Sequence, residues 1–407
     1  MENSERKIYT QLSENYRLPA EWEPQWGVML TWPHEDTDWK PYLAEITETF
    51  VQMAREIVRR EHLLIVVPRA EIVPEEVRRM ERVVVFECPT DDTWARDHGP
   101  IVLTRSSGVQ EFGSSGVRDG EAGCLWLDFR FNGWGEKFPA ENDNQIVRRL
   151  FEGFSRSEER GKSSTLNSQL STLNCQLERH QDFVLEGGSI ESDGCGTIFT
   201  TSQCLLAPNR NQPLTREELE AELKRRLRAE RVVWLDHGNL IGDDTDGHID
   251  TIVRCAPNDT LLYVGCDDPS DPHFADFQAL ERQLHTLRTT DGKPYRLLKL
   301  PMADFRSQET GDRRRETGEN PQPSTFNSQL STLNSPLERL PATYANFLIL
   351  NGAVLVPTYA QPEKDAEALR IIAGAFPDRD IIPLDARIIV RQHGSVHCLT
   401  MQLPLFS

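Results

Sequence analysis

Five amphipathic helical segments, set between short apolar runs of strand length, limit most what this chain can become. Apolar residues recur every three or four positions over Pro41–Arg60, Glu141–Phe151, Thr215–Ala229, His273–Leu287 and Glu363–Ala375. In the first of these, Leu43, Ile46, Phe50, Met53, Ile57 and Val58 share one face. Pro41 suits a first helical turn, where its missing N–H costs nothing. Thr215 followed by Glu218 is a capping-box pattern. Between the helices lie strand-like runs at Leu63–Val67, Val83–Phe86, Leu125–Phe131, Val232–Leu235, Leu261–Val264, Leu297–Leu300, Phe347–Leu350 and Ile388–Val390. The class is therefore α/β. Pattern alone allows a doubly wound sheet as readily as other α/β arrangements. No GxGxxG or GxxxxGK[ST] phosphate loop is present, which weakens nucleotide-binding readings.

Two segments break this rhythm. Ser164 to Arg179 reads STLNSQLSTLNCQLER, and Ser324 to Arg339 reads STFNSQLSTLNSPLER. Two distant copies cannot stack into a continuous core, so this is no solenoid. The spans 155–181 and 307–340 read as disordered insertions into surface loops, which closure entropy tolerates at any length. The rival reading is a paired amphipathic element used for self-association. The remainder forms a single domain.

A formal net charge of −19 argues against nucleic-acid and anionic-membrane partners, because phosphate contacts need clustered Lys and Arg. No apolar run approaches the roughly 18 residues that span a bilayer. The residues from Met1 to Thr10 are polar and charged, without a signal-peptide core, so a cytoplasmic location is expected. In that compartment the eight cysteines are expected to be free thiols. Cys88, Cys124, Cys195, Cys204, Cys255 and Cys266 read as small buried or loop residues. No Cys-x-x-Cys pair suggests a structural zinc site.

The chemistry-bearing residues sit in four compact motifs. They are Asp97 in Thr93-Trp94-Ala95-Arg96-Asp97-His98-Gly99-Pro100, Glu186 in Glu186-Gly187-Gly188-Ser189, His248 and Asp250 in Gly247-His248-Ile249-Asp250, and Cys398 in His393-Gly394-Ser395-Val396-His397-Cys398. Singly, each has an ordinary structural reading. Asp97 can pair with Arg96, Glu186-Gly-Gly can be a turn, His248-x-Asp250 a surface strand, and Cys398 a buried thiol. Together, one thiol, one imidazole and three carboxylates are what is needed to bind a planar cation and attack it covalently. If Gly247–Thr251 is extended, His248 and Asp250 point to one face. His397 would then sit opposite Cys398 and be structural.

In this order, the motifs resemble those of the agmatine deiminase family, relatives of the bacterial peptidylarginine deiminases in the pentein superfamily. The resemblance runs from Leu18-Pro19-Ala20-Glu21-Trp22-Glu23-Pro24-Gln25 to the segment after Cys398. Asn209-Arg210-Asn211 and Gly242-Asp243-Asp244-Thr245-Asp246-Gly247 add to it. One departure is that Gln392 and His393 stand where the family commonly begins a run of glycines. The resemblance implies a five-bladed ββαβ propeller with its active site in a central channel, no metal or organic cofactor, and a homodimer. It also implies hydrolysis of agmatine to N-carbamoylputrescine and ammonia, in polyamine biosynthesis, through a cysteine thiouronium intermediate. Cys398 would be the nucleophile, His248 the acid and base, and Glu186 its orienting partner. Asp97 and Asp250 would grip the guanidinium. Trp94 would pack on the substrate's methylenes; of the acidic cluster Asp243, Asp244 and Asp246 just before His248, Asp244 is favoured to meet its ammonium end, the alternative being a solvated Asp-rich turn. The rivals are a deiminase of arginine or peptidyl-arginine, and a catalytically inactive binding protein of the same fold.

Overall fold

The computed structural model describes residues 16–105, 123–159, 175–306 and 339–405. Its first strands are β1 (Tyr16–Arg17) and β2 (Gln25–Thr31). From β2 the chain passes through helix α1 (Leu43–Val58) to β3 (His62–Val67) and then β4 (Val83–Glu87). Strands β2, β3 and β4 are parallel. The next unit runs β5 (Ile101–Arg105), β6 (Cys124–Arg130), α2 (Ile146–Glu159) and β7 (Cys175–Val184). Here β5 and β6 are antiparallel and β6 and β7 parallel, with β1 on the outer edge of β5.

The same order returns three more times. It recurs as β8 (Ile190–Ser192), β9 (Thr197–Thr201), α3 (Arg216–Leu227) and β10 (Arg231–Leu235). It recurs again as β11 (Val253–Ala256), β12 (Thr260–Val264), α4 (Phe274–Thr286) and β13 (Arg296–Leu300). After a two-stranded ribbon, β14 (Phe305–Arg306) with β15 (Arg339–Leu340), comes β16 (Leu348–Leu350), β17 (Ala353–Thr358), α5 (Pro362–Ala375) and β18 (Asp380–Asp385). Each time an antiparallel pair is followed by a helix and a parallel strand. The last strand, β19 (Thr400–Pro404), lies antiparallel on β2 and supplies the pair that the first unit lacks. Five ββαβ units result, the first assembled from both ends of the described chain.

Burial explains this pattern. Residues 63–67 of β3 are buried throughout, as expected of a parallel strand covered on both faces. Helix α1 turns Ile46, Phe50, Val51, Met53, Ala54 and Ile57 inward, close to the face read from the sequence. Helix α3 starts at the expected capping box, with Thr215 and Glu218 each accepting a backbone N–H. Pro41 falls in a 3-10 turn, Lys40–Tyr42, that leads into α1.

Four readings are corrected. Ile388–Val390 is not a strand, because a 3-10 turn occupies Ile389–Gln392. Gly247–Thr251 is not extended, because a 3-10 turn spans Ile249–Thr251 with His248 at its start. The insertions are narrower than expected. Cys175 to Gln181 belong to β7, where Cys175 to His180 stand in register with Cys124 to Phe129, and Arg339–Leu340 form β15. The repeats themselves lie mostly outside the described residues. Finally, Cys124 and Cys175 face each other across β6 and β7 and are joined as a disulfide, so they are not free thiols. No helix among the described residues is long and apolar enough to cross a membrane.

The capping box yields a stability test. Thr215→Ala leaves the Glu218 N–H without its acceptor, and about 1 kcal/mol of stability should be lost. A lower urea midpoint at unchanged slope would report it.

Candidate active site

The functional segments share one place in the repeat. Asp97 precedes β5, Glu186 precedes β8, His248 and Asp250 precede β11, and Cys398 precedes β19. The fifth unit contributes Asn346 ahead of β16, a residue not singled out from the sequence. Each first strand therefore receives its chain from a short loop that delivers one piece of the site.

Asp97 lies in a single helical turn, Ala95–His98, and is almost fully buried. It does not pair with Arg96, whose guanidinium turns away to Glu21 and Gln402. Instead its Oδ1 accepts the Gly188 N–H at 3.0 Å and its Oδ2 accepts the Trp134 indole N–H at 2.9 Å. Trp134 holds this position from a left-handed backbone conformation, with φ 56° and ψ 51°. A bulky side chain pays strain there, of the kind that clusters at functional sites.

His248 is fully buried, with Nδ1 3.6 Å from Asp97 Oδ1. Asp250, also fully buried, accepts from His397 Nδ1 at 2.8 Å and Asn346 Nδ2 at 3.1 Å through Oδ2. Cys398 Sγ stands 3.7 Å from that same oxygen and 3.3 Å from Asn346 Oδ1. Asn346 Oδ1 further accepts the backbone N–H groups of His397 and Cys398, at 2.9 and 3.2 Å. One amide thus fixes Asp250 and the nucleophile loop together.

Gly188 marks the centre. A Cβ built on it would lie 2.6 Å from His248 Nδ1, 2.8 Å from Asp97 Oδ1 and 3.2 Å from Asp250 Oδ2. Even alanine cannot be accommodated without displacing three functional groups. Both His248 ring nitrogens and Asp250 Oδ1 find no hydrogen-bond partner among the described residues. Buried polar atoms are rarely left so, and His248 Nδ1, which faces Gly188, suits a polar guest there.

Electrostatics follow from this crowding. Burial, opposed by His248 and reinforced by Asp250, pushes Asp97 up to about 6. Burial alone would lower His248, but Asp97, Cys204 and Glu186 beside it raise it well above the usual imidazole range. Burial also works to raise Asp250, but the His397 hydrogen bond and charge outweigh it, and the carboxyl stays below its ordinary value. Burial and the two carboxylates push the Cys398 thiol well up. A cation placed between Asp97 and Asp250 would reverse that last effect.

Three expected residues stand differently. Glu186 lies beside His248 but gives its carboxylate to Arg210 Nε, at 3.1 and 3.3 Å. Trp94 is 6% exposed and packs on Gly394, whose Cβ would meet the indole at 2.2 Å, so it buttresses the loop that carries Cys398. Asp244 is the half-exposed member of its cluster. Asp243 is turned inward onto Thr245 and the Gly247 N–H, and Asp246 is paired with Arg210 and Lys137. His393, in place of a glycine, adopts the left-handed conformation a glycine would favour (φ 64°) and bonds the Gly242 carbonyl.

Two groups of side chains carry the donor types of a metal site. In one, ligand atoms of Glu186, Cys204 and His248 lie within 4.8 Å of one another, but the Arg210 guanidinium already occupies Glu186. In the other, Glu21 and Glu191 with His397, the carboxylates are bound by Arg96 and Arg254. Neither donor set is free to hold a cation.

A buried thiol, a charged imidazole and two carboxylates brought together beside Gly188 form the equipment of a cysteine-dependent site for a small planar cation. The chain belongs to the Porphyromonas-type peptidyl-arginine deiminase family, whose model it matches over residues 17–404. It is 31% identical to agmatine deiminase of Stutzerimonas stutzeri over 97% of each chain. A cysteine-to-serine variant of C. jejuni agmatine deiminase, solved with substrate bound, superposes with a TM-score of 0.75 at 30% identity, covering 96% of this chain and 97% of that one. A candidate arginine deiminase from Porphyromonas gingivalis superposes at 0.74 with 43% identity, covering 96% and 98%.

Two outcomes test this geometry. A cationic haloacetamidine should alkylate Cys398 faster at neutral pH than neutral iodoacetamide does, because only the cation offsets Asp97 and Asp250. Equal rates would contradict the electrostatic account. Gly188→Ala should leave the fold intact yet slow the amidine reaction by about a hundredfold or more, the usual scale for a displacement near 1 Å.

Proposed function

We propose that this protein is an agmatine deiminase, hydrolysing the guanidinium of agmatine to N-carbamoylputrescine and ammonia in polyamine biosynthesis. The observation that carries the reading is the convergence of Asp97, Asp250 and His248 on Gly188, with Cys398 Sγ 3.7 Å from Asp250 Oδ2. The five ββαβ units, arranged as a ring with β19 and β2 closing it, would place their five leading loops around one channel. No metal or organic cofactor takes part in the proposed reaction.

A guanidinium stays charged at any accessible pH, and its resonance makes the carbon a poor electrophile. Asp97 and Asp250 grip its N–H groups and hold the carbon against sulfur. The arriving cation releases the Cys398 proton to solvent. The thiolate then adds to the guanidinium carbon. His248, held as imidazolium, gives its proton to a terminal nitrogen, and ammonia leaves as the C–N bond breaks. A thiouronium cation remains on Cys398. Neutral His248 takes a proton from water as its oxygen adds to the same carbon. The C–S bond breaks, thiolate returns, the ureido product loses its extra proton to solvent, and His248 is again imidazolium. Glu186 stabilises that charge from beside the ring while Arg210 holds it in place.

Asp244, the carboxylate of its cluster left half exposed, receives the distal ammonium. The likeness to the Porphyromonas gingivalis protein keeps arginine as the second reading. That substrate would need a cation for its carboxylate, and Lys137 is committed to Asp246 and the Asp244 carbonyl.

Ammonia release from agmatine, arginine and a blocked arginine peptide decides among these. Agmatine alone should be hydrolysed, and Cys398→Ala should abolish turnover. Activity on an arginine compound alone would overturn the substrate. Silence on all three would favour an inactive binding protein. Since binding needs Asp97 ionised, and its carboxyl sits at about 6, kcat/KM should fall as pH drops through that value. Asp244→Asn should raise KM for agmatine by roughly three- to tenfold with little change in kcat.

A further inference from the structure

His397 stands next to Cys398 in sequence, and its ring hydrogen-bonds not the sulfur but the Asp250 oxygen that faces Gly188. Its ring is fully buried between two carboxylates. Nδ1 meets Asp250 Oδ2 at 2.8 Å, and Nε2 meets Glu21 Oε1 and Oε2 at 2.9 and 3.0 Å. An ionised carboxylate only accepts hydrogen bonds, so each ring nitrogen must carry a proton. Glu21 is fastened in turn, by Arg96 at 2.9 Å, by Arg254 and by Gln402 Nε2 at 3.0 Å. Arg254 also binds Glu191 and the Ala345 and Phe347 carbonyls on either side of Asn346. A chain of charge therefore runs from the segment before β2, through His397, to the carboxylate that faces the site.

We propose that His397 is a positioning residue: hydrogen-bonded through both ring nitrogens, it is held by Glu21 and keeps the Asp250 carboxylate aimed at the substrate cation. This deepens the deiminase reading and rests on it for the identity of the cation. The groups that face Asp250 are His397 and Cys398 on the nucleophile loop, His248 on its own segment, Asp97 across Gly188, and Arg254 beneath. Without the His397 charge, Asp97 and Asp250 keep His248 between them, and Asp250 has only the more distant Arg254 besides. Two carboxylates so close cannot both stay ionised in a dry site, and one retains its proton to higher pH. Glu21 acts at one remove. Glu21→Gln removes the negative charge that holds the second ring proton and offers Nε2 an N–H donor instead, so His397 becomes neutral and Asp250 loses its countercharge without any change at the site itself.

The experiment compares wild type, His397→Gln and Glu21→Gln, each first shown to be folded by circular dichroism and thermal melting. Wild type labelled with 15N-histidine should show one ring with both nitrogens protonated at the pH of the turnover assay, hydrogen-bonded to two carboxylates. Those signals should vanish in His397→Gln and become a singly protonated ring in Glu21→Gln. In kinetics, His397→Gln should raise KM for agmatine by roughly thirtyfold or more while lowering kcat less. The acid limb of kcat/KM should move up by about one pH unit, and in the same direction for Glu21→Gln. A singly protonated ring in wild type would overturn the proposal. So would folded variants that keep the wild-type limb and KM and lose only kcat. Absence of turnover on any guanidinium in wild type would instead remove the proposed function, and the NMR comparison would still decide the state of His397.

Discussion

Two carboxylates buried side by side repel, and the site is built around containing that repulsion. Asp97 and Asp250 face each other across Gly188, with no side chain between them. His248 offsets Asp97 and His397 offsets Asp250. In a low-dielectric setting these charges cannot be treated singly, because each protonation state depends on its neighbours. The free site is left short of positive charge, with a reluctant thiol and partly protonatable Asp97. In the proposed reaction a bound cation would complete the balance and release the thiolate, making substrate binding and nucleophile activation one event.

The repeat makes that balance geometrically achievable. Each unit enters its first strand from a short loop, and each loop brings one or two groups to a common centre. None of them depends on a long excursion from the scaffold. Asn346 ties Asp250 to the backbone of Cys398, and Arg210 ties Glu186 to Asp246 and the Thr245 carbonyl. These amide and guanidinium ties restrain the site's side chains, and orientation effects reward such restraint. The strained Trp134 turn belongs to the same design, since it directs an indole N–H at Asp97.

Much of this was legible in the sequence, for reasons that differ by residue. Helix α3 was readable from Thr215 to Leu227 because capping and periodicity are local. Asp97, Glu186, His248, Asp250 and Cys398 stood out only because four short motifs occurred in one order. What could not be read was pairing. Asp97 beside Arg96 suggested an ion pair, but helical geometry sends Arg96 to Glu21, 75 positions away. An extended His248–Asp250 was the simplest reading of an alternating triplet, yet a 3-10 turn delivers both side chains. His397 was placed on an opposite strand face that does not exist, because the nucleophile lies on a loop ahead of β19. Asn346, Gly188 and Trp134 have no local signature of function. Gly188 is informative only once three other segments surround it. The Cys124–Cys175 pairing depends on the register of β6 and β7, which no spacing rule supplies.

The central claim is that Cys398 becomes covalently bound to the guanidinium carbon while Asp97 and Asp250 hold it. Acid-quenched mixing of the protein with agmatine, followed by intact and peptide mass spectrometry, tests it most directly. The expected result is a transient thiouronium adduct on the peptide that carries Cys398, absent in Cys398→Ala. Turnover with no adduct at any quench time, or an adduct on Cys204 beside His248 instead, would contradict the account.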